Sequence, residues 1–299
     1  VKRKDVILFL IIWLIATCLL TAVVIRDSSV TSPYNKHELT RREIYLECKK
    51  SVGLLDVTHR AYFGDPRAQI FFALFPVDLD YGGSGTAWFF DKDRPYILTN
   101  AHVVNCPNPI ALFLSVWSKL PETHKNFLKK LGTIKMAVES TYVFIDHDGK
   151  KYSCKIIANL DKLNNVDLAV LSVDIKKWKP LPIGNPDSIK VCDVVYVMGS
   201  PLGYVNTFNM GYVSAINRKI GYKSKKARWT LHDAHINPGN SGGPMLNKYC
   251  EVVGVNTLVP TGTSGMSHAL NIDILPPLYF LVRDRTDEKY FCRPPENKK

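Results

Sequence analysis

None of the seven cysteines pairs with another at a zinc-site spacing or as Cys-x-x-Cys, so neither a metal-stapled fold nor a dithiol redox centre is indicated. No internal repeat or low-complexity tract appears, which sets aside solenoids and repeat arrays. Acidic side chains are scarce: 27 Asp and Glu stand against 39 Lys and Arg, a net charge of +12. That balance suits an anionic partner, lipid or nucleic acid, without choosing between them. What the chain does have is length and apolar content, 299 residues with 46% hydrophobic and 22% charged. This is enough for one large domain or two small ones with a real core, and disorder is not the default.

Val6 to Ile25 is a run of twenty residues without a charge, softened only by Thr17, Cys18 and Thr21. That length spans a bilayer. Lys2, Arg3 and Lys4 precede the run while Arg26 and Asp27 follow it, which places residues 1–5 in the cytoplasm and the remainder outside. The alternative, a cleaved signal peptide, calls for a shorter apolar core of roughly 7–15 residues and a small-x-small cleavage site. The expected organisation is therefore a membrane protein with a signal anchor at 6–25, a tether with a short helix at 26–50, a folded domain at 51–282 and a tail at 283–299. Outside the span lie Cys48, Cys106, Cys154, Cys192, Cys250 and Cys292. Disulfides are allowed on that side of the membrane, and buried free thiols are the alternative.

From Ser51 onward the sequence falls into short β-branched or aromatic runs broken by Gly, Pro, Asn and Asp. Strands are expected at Val52–Val57, Gln69–Phe75, Thr86–Phe90, Tyr96–Thr99, Tyr142–Ile145, Tyr152–Asn159 and Leu168–Val173. Further strands are expected at Val194–Met198, Met210–Ile216, Arg228–His232, Val252–Asn256 and Ser267–Asn271. Many short strands without long helices between them indicate an all-β barrel or sandwich. Residues 109–131 break this rhythm with helical spacing divided at Pro121. Leu112, Phe113, Val116 and Trp117 sit there beside Lys119, Lys125, Lys129 and Lys130, a mixture suited to an anionic membrane surface or to a helix with a solvated basic face.

Asn237 to Leu246 reads Asn-Pro-Gly-Asn-Ser-Gly-Gly-Pro-Met-Leu. A serine hydroxyl attacks a carbonyl only where backbone N–H groups can close on the oxyanion, and Gly239, Gly242 and Gly243 around Ser241 allow that approach. The serine needs a base active near neutral pH. His102 stands where the strand Tyr96–Thr99 ends. The imidazole in turn needs a carboxylate to fix its tautomer, and Asp167 opens the apolar run Leu168–Val173. The order His102, Asp167, Ser241 differs from that of an α/β-hydrolase, although Gly239–Gly243 also fits Gly-x-Ser-x-Gly; Gly242, Gly243 and Pro244 are poor residues for the helix such an elbow launches.

With those residues stands a set of ordered motifs. They are Gly83-Ser84-Gly85-Thr86, Leu98-Thr99-Asn100-Ala101-His102-Val103-Val104, Asp167-Leu168-Ala169-Val170-Leu171, Gly199-Ser200-Pro201-Leu202-Gly203, Asp233 through Pro244, and Gly254-Val255-Asn256-Thr257. Over about Ser51 to Val282 the chain resembles the trypsin-like serine peptidases of the HtrA/Deg group. The resemblance implies two antiparallel β-barrels of the chymotrypsin type, about 51–175 and 190–275, with the active site in the cleft between them. It further implies Ser241 as nucleophile, His102 as base then acid, Asp167 as its orienter, and the N–H groups of Gly239 and Ser241 as the oxyanion hole. The implied activity is a serine endopeptidase acting on polypeptides with no metal or organic cofactor, and relatives suggest a trimer.

The chain also departs from the group. After Val282 seventeen residues remain, too few for a PDZ domain, and residues 109–131 are an insertion. His235 stands six residues before Ser241, at a position that helps form the S1 base in this superfamily and is often small in the group; Asn256 and Ser267 are further candidates for that pocket. The basic stretch Lys219–Trp229 is read as a hairpin between strands, not as a nucleic-acid site. A tethered binding or chaperone-like module that keeps the fold with little turnover is the alternative to an enzyme.

Overall fold

The computed structural model describes residues 38–75, 80–106, 109–131, 136–221, 227–258 and 266–275. The expected anchor Val6–Ile25 and the tail 283–299 lie outside them. Among the described residues no helix is long and apolar enough to cross a membrane.

Twelve strands close into two six-stranded antiparallel barrels. The first contains β1 (Val52–Phe63), β2 (Asp80–Phe89), β3 (Tyr96–Thr99), β4 (Met136–Ile145), β5 (Lys151–Asn159) and β6 (Ala169–Val173), ordered β1-β2-β3-β6-β5-β4. The second contains β7 (Val194–Gly199), β8 (Thr207–Arg218), β9 (Trp229–His232), β10 (Pro244–Leu246), β11 (Val252–Leu258) and β12 (Ser267–Asn271), ordered β10-β11-β12-β9-β8-β7. Pairing of β1 with β4 and of β7 with β10 closes each sheet on itself.

Alternation along the strands decides what each barrel buries. In the first barrel Phe89, Ile97 and Leu171 point to an interior cluster with Leu55 and Phe144. Their neighbours Trp88, Leu98 and Val170 point the other way, into a second cluster shared with Met198, Trp229, Leu246 and Val255 of the second barrel. One strand set thus supplies both a barrel core and the contact between barrels.

The run Gln69–Phe75 is helical, contrary to its β-rich composition. The Asp65 carboxylate accepts from Arg67 N at 2.8 Å and Pro66 occupies the first turn, so Pro66–Leu74 begins as a capped helix. Its aromatic residues then pack at helical spacing: Phe72 stacks on Phe63 at 4.8 Å, and Phe71 on Phe127 at 4.0 Å. Phe127 belongs to Glu122–Leu131, the second of two helices that fill the insertion. The first is Pro109–Lys119, and Pro121 lies between them as expected. Together these helices cover one end of the first barrel through Val116, Leu120 and Leu128. In that arrangement Lys129 and Lys130 face solvent.

A further helix, α1 (Arg41–Cys48), opens the described chain. Thr40 and Glu43 form a reciprocal capping box at its start, and Ile44 and Cys48 are buried. Within the basic stretch 219–229, residues 222–226 lie outside the described residues. Arg228 there is clamped by Asp187 and Asp273.

Candidate active site

Three peptide segments meet where the barrels face one another. After β3 the chain turns at Asn100 into a single helical turn, Ala101–Val104, which carries His102. Asp167 precedes β6 and is buried, with both carboxylate oxygens turned to one residue. Oδ1 accepts from His102 N at 2.9 Å and Oδ2 from the His102 ring at 2.7 Å. A carboxylate can only accept, so Nδ1 carries a proton, and in the neutral ring Nε2 is left with its lone pair. Asn100 holds this arrangement from behind, its amide donating to Asp167 O at 2.8 Å and to Thr257 Oγ1 at 3.0 Å.

Ser241 lies on the second barrel, three residues before β10. Among the described residues its hydroxyl has one hydrogen-bond acceptor, Thr257 O at 3.4 Å, and none on His102. At that length the bond is weak, and the side chain is lightly held. Ser241 and His102 nonetheless line one cleft of about 480 Å³, with Gly239, Pro238, Ser84, Tyr81, His59 and Cys106 among its walls.

The turn that presents Ser241 owes its shape to two glycines. Gly239 has φ +102°, and a Cβ on it would meet Ser200 O at 2.7 Å. Gly242 has φ +87°, and a Cβ there would sit 2.2 Å from Thr99 Oγ1 and 2.3 Å from Thr86 O. A side chain at Gly239 would have to displace the 200–202 turn after β7, and one at Gly242 the first barrel. Backbone bonds pin the segment around them: Asn240 N donates to Asn237 O, Gly243 N to Asn240 O, and Gly242 N to Asn256 O. No acceptor among the described residues takes the N–H of Gly239 or Ser241.

Thr86, singled out in the sequence only as part of Gly-Ser-Gly-Thr, spans the barrels. Its hydroxyl donates to Gly239 O at 2.7 Å and accepts from Ser200 N at 2.9 Å, while its own N–H donates to Ser241 O at 2.8 Å. Asn100 and Thr257 are also absent from the site residues expected from the sequence. Asn100 and Thr86 stand inside quoted motifs, which was the available signal, but only the three-dimensional contacts give them work to do. His59 had no such signal. It is buried beside Tyr81, bonded through Nδ1 to Ser140 Oγ at 2.8 Å, and burial pulls its pKa below the ordinary histidine range.

The residues expected to form the S1 pocket divide. His235 is exposed on the turn after β9. Asn256 is fully buried, its amide donating to Gly243 O at 3.0 Å and its oxygen bonded to His232 Nε2 at 3.1 Å. Ser267 is buried as well, with its hydroxyl donating to Ala234 O at 3.0 Å. Asn256 and Ser267 therefore brace the turns on either side of His235 and Ser241, and their polar atoms are already engaged.

His232 completes that brace. Asn256 Nδ2 is a donor to Gly243, so its oxygen faces the ring and Nε2–H donates to it. Burial lowers the His232 pKa to about 4, with the Asn256 bond opposing that shift. An unfolded histidine titrates near 6.5, so below that pH the unfolded chain binds the extra proton and the folded chain does not. The stability from neutral His232 is thus complete above about pH 6.5 and lost as pH falls toward about 4. The expected loss is on the order of 3 kcal/mol. Urea titrations of the wild type and His232→Gln at pH 7 and pH 4.5 check this: the wild type should lose distinctly more stability, and equal losses would remove His232 as the cause.

The geometry places a histidine–carboxylate pair on one barrel and a glycine-framed serine on the other, and comparisons with known proteins agree with it. The model of the trypsin-like peptidase domain family matches residues 85–255. Protease Do-like 5 of the Arabidopsis thaliana chloroplast is 36% identical over 177 residues, covering 56% of this chain and 54% of its own. A DegP-like periplasmic serine endoprotease of Chlamydia trachomatis is 40% identical over 119 residues, 40% of this chain and 23% of its own. The chain thus spans between about a quarter and a half of the length of these relatives. A solved structure of the HtrA-type protease AlgW with a decapeptide has a TM-score of 0.58 at 19% identity, covering 83% of this chain and 68% of that one, a likeness that shows the fold. With the barrels, the ordered motifs and a family match over more than half its length, this chain belongs to the trypsin-like peptidase domain family, with relatives in the HtrA/Deg group.

Proposed function

We propose that the protein is a serine endopeptidase in which His102, Asp167 and Ser241 form the catalytic triad. The observation that carries the reading is the Asp167 carboxylate accepting both from the His102 ring and from the His102 backbone, which leaves Nε2 unprotonated toward the cleft that contains Ser241. In the reaction the Ser241 hydroxyl leaves Thr257 O and turns to His102 Nε2 across the cleft that both residues line. The oxygen then attacks the scissile carbonyl as Nε2 takes the proton, and the imidazolium is stabilised by Asp167. The N–H groups of Gly239 and Ser241, without acceptors among the described residues, receive the oxyanion. His102 returns the proton to the leaving amine, the acyl-enzyme forms on Ser241, and water repeats the sequence to release the acid.

The substrate is read as a polypeptide, in keeping with the endoprotease relatives. His235 is exposed just upstream of Ser241, and we assign it to the P1 pocket, where an imidazole favours an acidic or hydrogen-bonding P1 side chain over a small aliphatic one. A peptide library varied at P1 should shift its profile toward small residues for His235→Ala; an unaltered profile removes His235 from the pocket. The relatives' periplasmic and chloroplastic labels and the apolar run 6–25 support an extracytoplasmic, membrane-anchored domain. Carbonate washing should leave the full chain in the membrane pellet. Recovery in the supernatant would exclude the anchor.

A binding module that keeps the fold without turnover is separated from an enzyme by a fluorophosphonate probe. The enzyme is expected to label at Ser241 and to lose labelling in His102→Ala, since an unactivated serine hydroxyl reacts slowly with such probes. A folded wild type that does not label supports the binding module.

A further inference from the structure

Among the described residues all five cysteines are thiols: Cys48, Cys106, Cys154, Cys192 and Cys250. Two of them touch. Cys48 ends α1, and Cys250 lies in the turn between β10 and β11, 202 residues later in sequence, with the two sulfurs 3.1 Å apart. Both side chains are excluded from solvent. A disulfide holds its sulfurs at about 2.05 Å, so a closure of about 1 Å separates contact from bond.

The backbone at Cys250 supplies a second observation. Its φ is +60°, a left-handed conformation that glycine adopts freely and a residue with a Cβ adopts at a cost. The turn has its own bonds for that shape: Asn247 Oδ1 accepts from Tyr249 N and Glu251 N, and Cys250 N donates to Asn247 O. A side chain at this place is therefore a cost to the turn, and the sulfur it delivers lies against Cys48. Cys192 is also left-handed at φ +74°, but it is exposed; conformation alone is not the argument, whereas conformation with a buried sulfur partner is.

The third observation is registry. Leu39 N donates to Lys248 O at 3.0 Å, Glu38 pairs with Lys248, and Glu47 at the far end of α1 pairs with Lys179. Contacts at both ends of the helix, with Lys248 of the second barrel and with Lys179 of the segment between the barrels, fix how it lies, so the cysteine contact is not a chance approach of two mobile groups.

We infer that Cys48 and Cys250 are a built disulfide site, which joins α1 covalently to the barrel that carries Ser241. Its formation needs a disulfide-bearing oxidant, either a thiol–disulfide oxidoreductase or a small-molecule disulfide. One cysteine thiolate attacks the oxidant, forming a mixed disulfide and releasing one thiolate; the second cysteine then displaces the other half. The pair gives up two protons and two electrons, and the oxidant's disulfide becomes two thiols. Burial raises the Cys48 thiol pKa well above its ordinary value, and the neighbouring Cys250 adds to that effect. The thiolate needed for attack is scarce once α1 has packed, so the bond forms as the chain folds and is afterwards shielded from reductant.

Only the supply of oxidant rests on the extracytoplasmic reading, and oxidised glutathione removes that dependence. Full-length protein, solubilised in detergent, is refolded in a glutathione redox buffer, denatured, alkylated and digested without reduction. The expected product is one peptide pair containing Cys48 and Cys250, lighter than the two thiol peptides by two hydrogens. Reduction should lower the Tm of the wild type by roughly 5–10 °C. The same treatment should leave Cys48→Ser and Cys250→Ser unmoved. Full alkylation of both cysteines after refolding, or linkage of either to another cysteine, overturns the inference. The wild-type peptide map decides the matter even if a variant fails to fold. Fluorophosphonate labelling of the same sample reports on Ser241 separately, so failure of the disulfide and failure of the catalytic reading are distinguishable.

Discussion

Ser241→Ala is expected to lower kcat by up to about 10⁶-fold, the scale set by removing a triad serine in subtilisin, with KM changed far less. The reason is selective loss. Alanine removes the oxygen that forms the acyl bond but leaves the Gly239 and Ser241 N–H groups, the His102–Asp167 pair and the cleft walls in place. Such a variant keeps about 10³–10⁴-fold acceleration over water from the oxyanion donors and binding. The substitution is also structurally quiet, since among the described residues the serine hydroxyl makes only the long contact with Thr257 O. Steady-state cleavage of a quenched peptide, with the Tm as a folding control, measures the effect. Proteolysis at the wild-type rate by a folded variant would refute the assignment of Ser241.

Asp167→Asn should cost about 10⁴-fold in kcat while the protein stays folded. The Asp167 carboxylate accepts from two donors of His102, the backbone N–H and the ring Nδ1–H. An asparagine has one oxygen for two donors. If that oxygen stays on the backbone N–H, the amide NH₂ faces Nδ1 and makes it an acceptor; the ring then carries its proton on Nε2, where it cannot take one from serine. If the oxygen stays on the ring, the buried N–H of His102 loses its partner and the helical turn loosens. The first outcome predicts lost kcat at nearly constant stability and the second a lowered Tm, so paired kinetic and thermal measurements tell them apart. A variant that retains kcat would remove Asp167 from the mechanism.

The chemistry was more legible in the chain than the framework that supports it. His102, Asp167 and Ser241 stand in short motifs, each of which alone would also suit a structural turn; their joint occurrence in that order points to a reacting centre and separates the arrangement from a hydrolase elbow. Most strands were legible as short β-branched or aromatic runs bounded by Gly, Pro, Asn and Asp, even where, as in Ser267–Asn271, the strand is buried throughout and does not alternate; the break at Pro121 divided the insertion into two helical pieces. Gln69–Phe75 misled because its β-branched and aromatic content outweighed Asp65-Pro66, a start signal of only two residues. The contacts of Thr86 with Gly239, Ser200 and Ser241 join positions more than a hundred residues apart, and nothing local announces them. The same holds for Asn256 and Ser267. Sequence position brings them near the specificity pocket, but only the hydrogen-bond partners reveal that their polar atoms face inward.

The bridge made by Thr86 has a consequence for how the molecule responds to stress. His102 and Ser241 belong to separate barrels, so their alignment reports the seating of one barrel on the other, and neither barrel's own integrity ensures it. Thr86 fastens that seam at the nucleophile turn, and Asn100 does so at Thr257. A partial parting of the barrels would separate His102 from Ser241 while every strand remained paired.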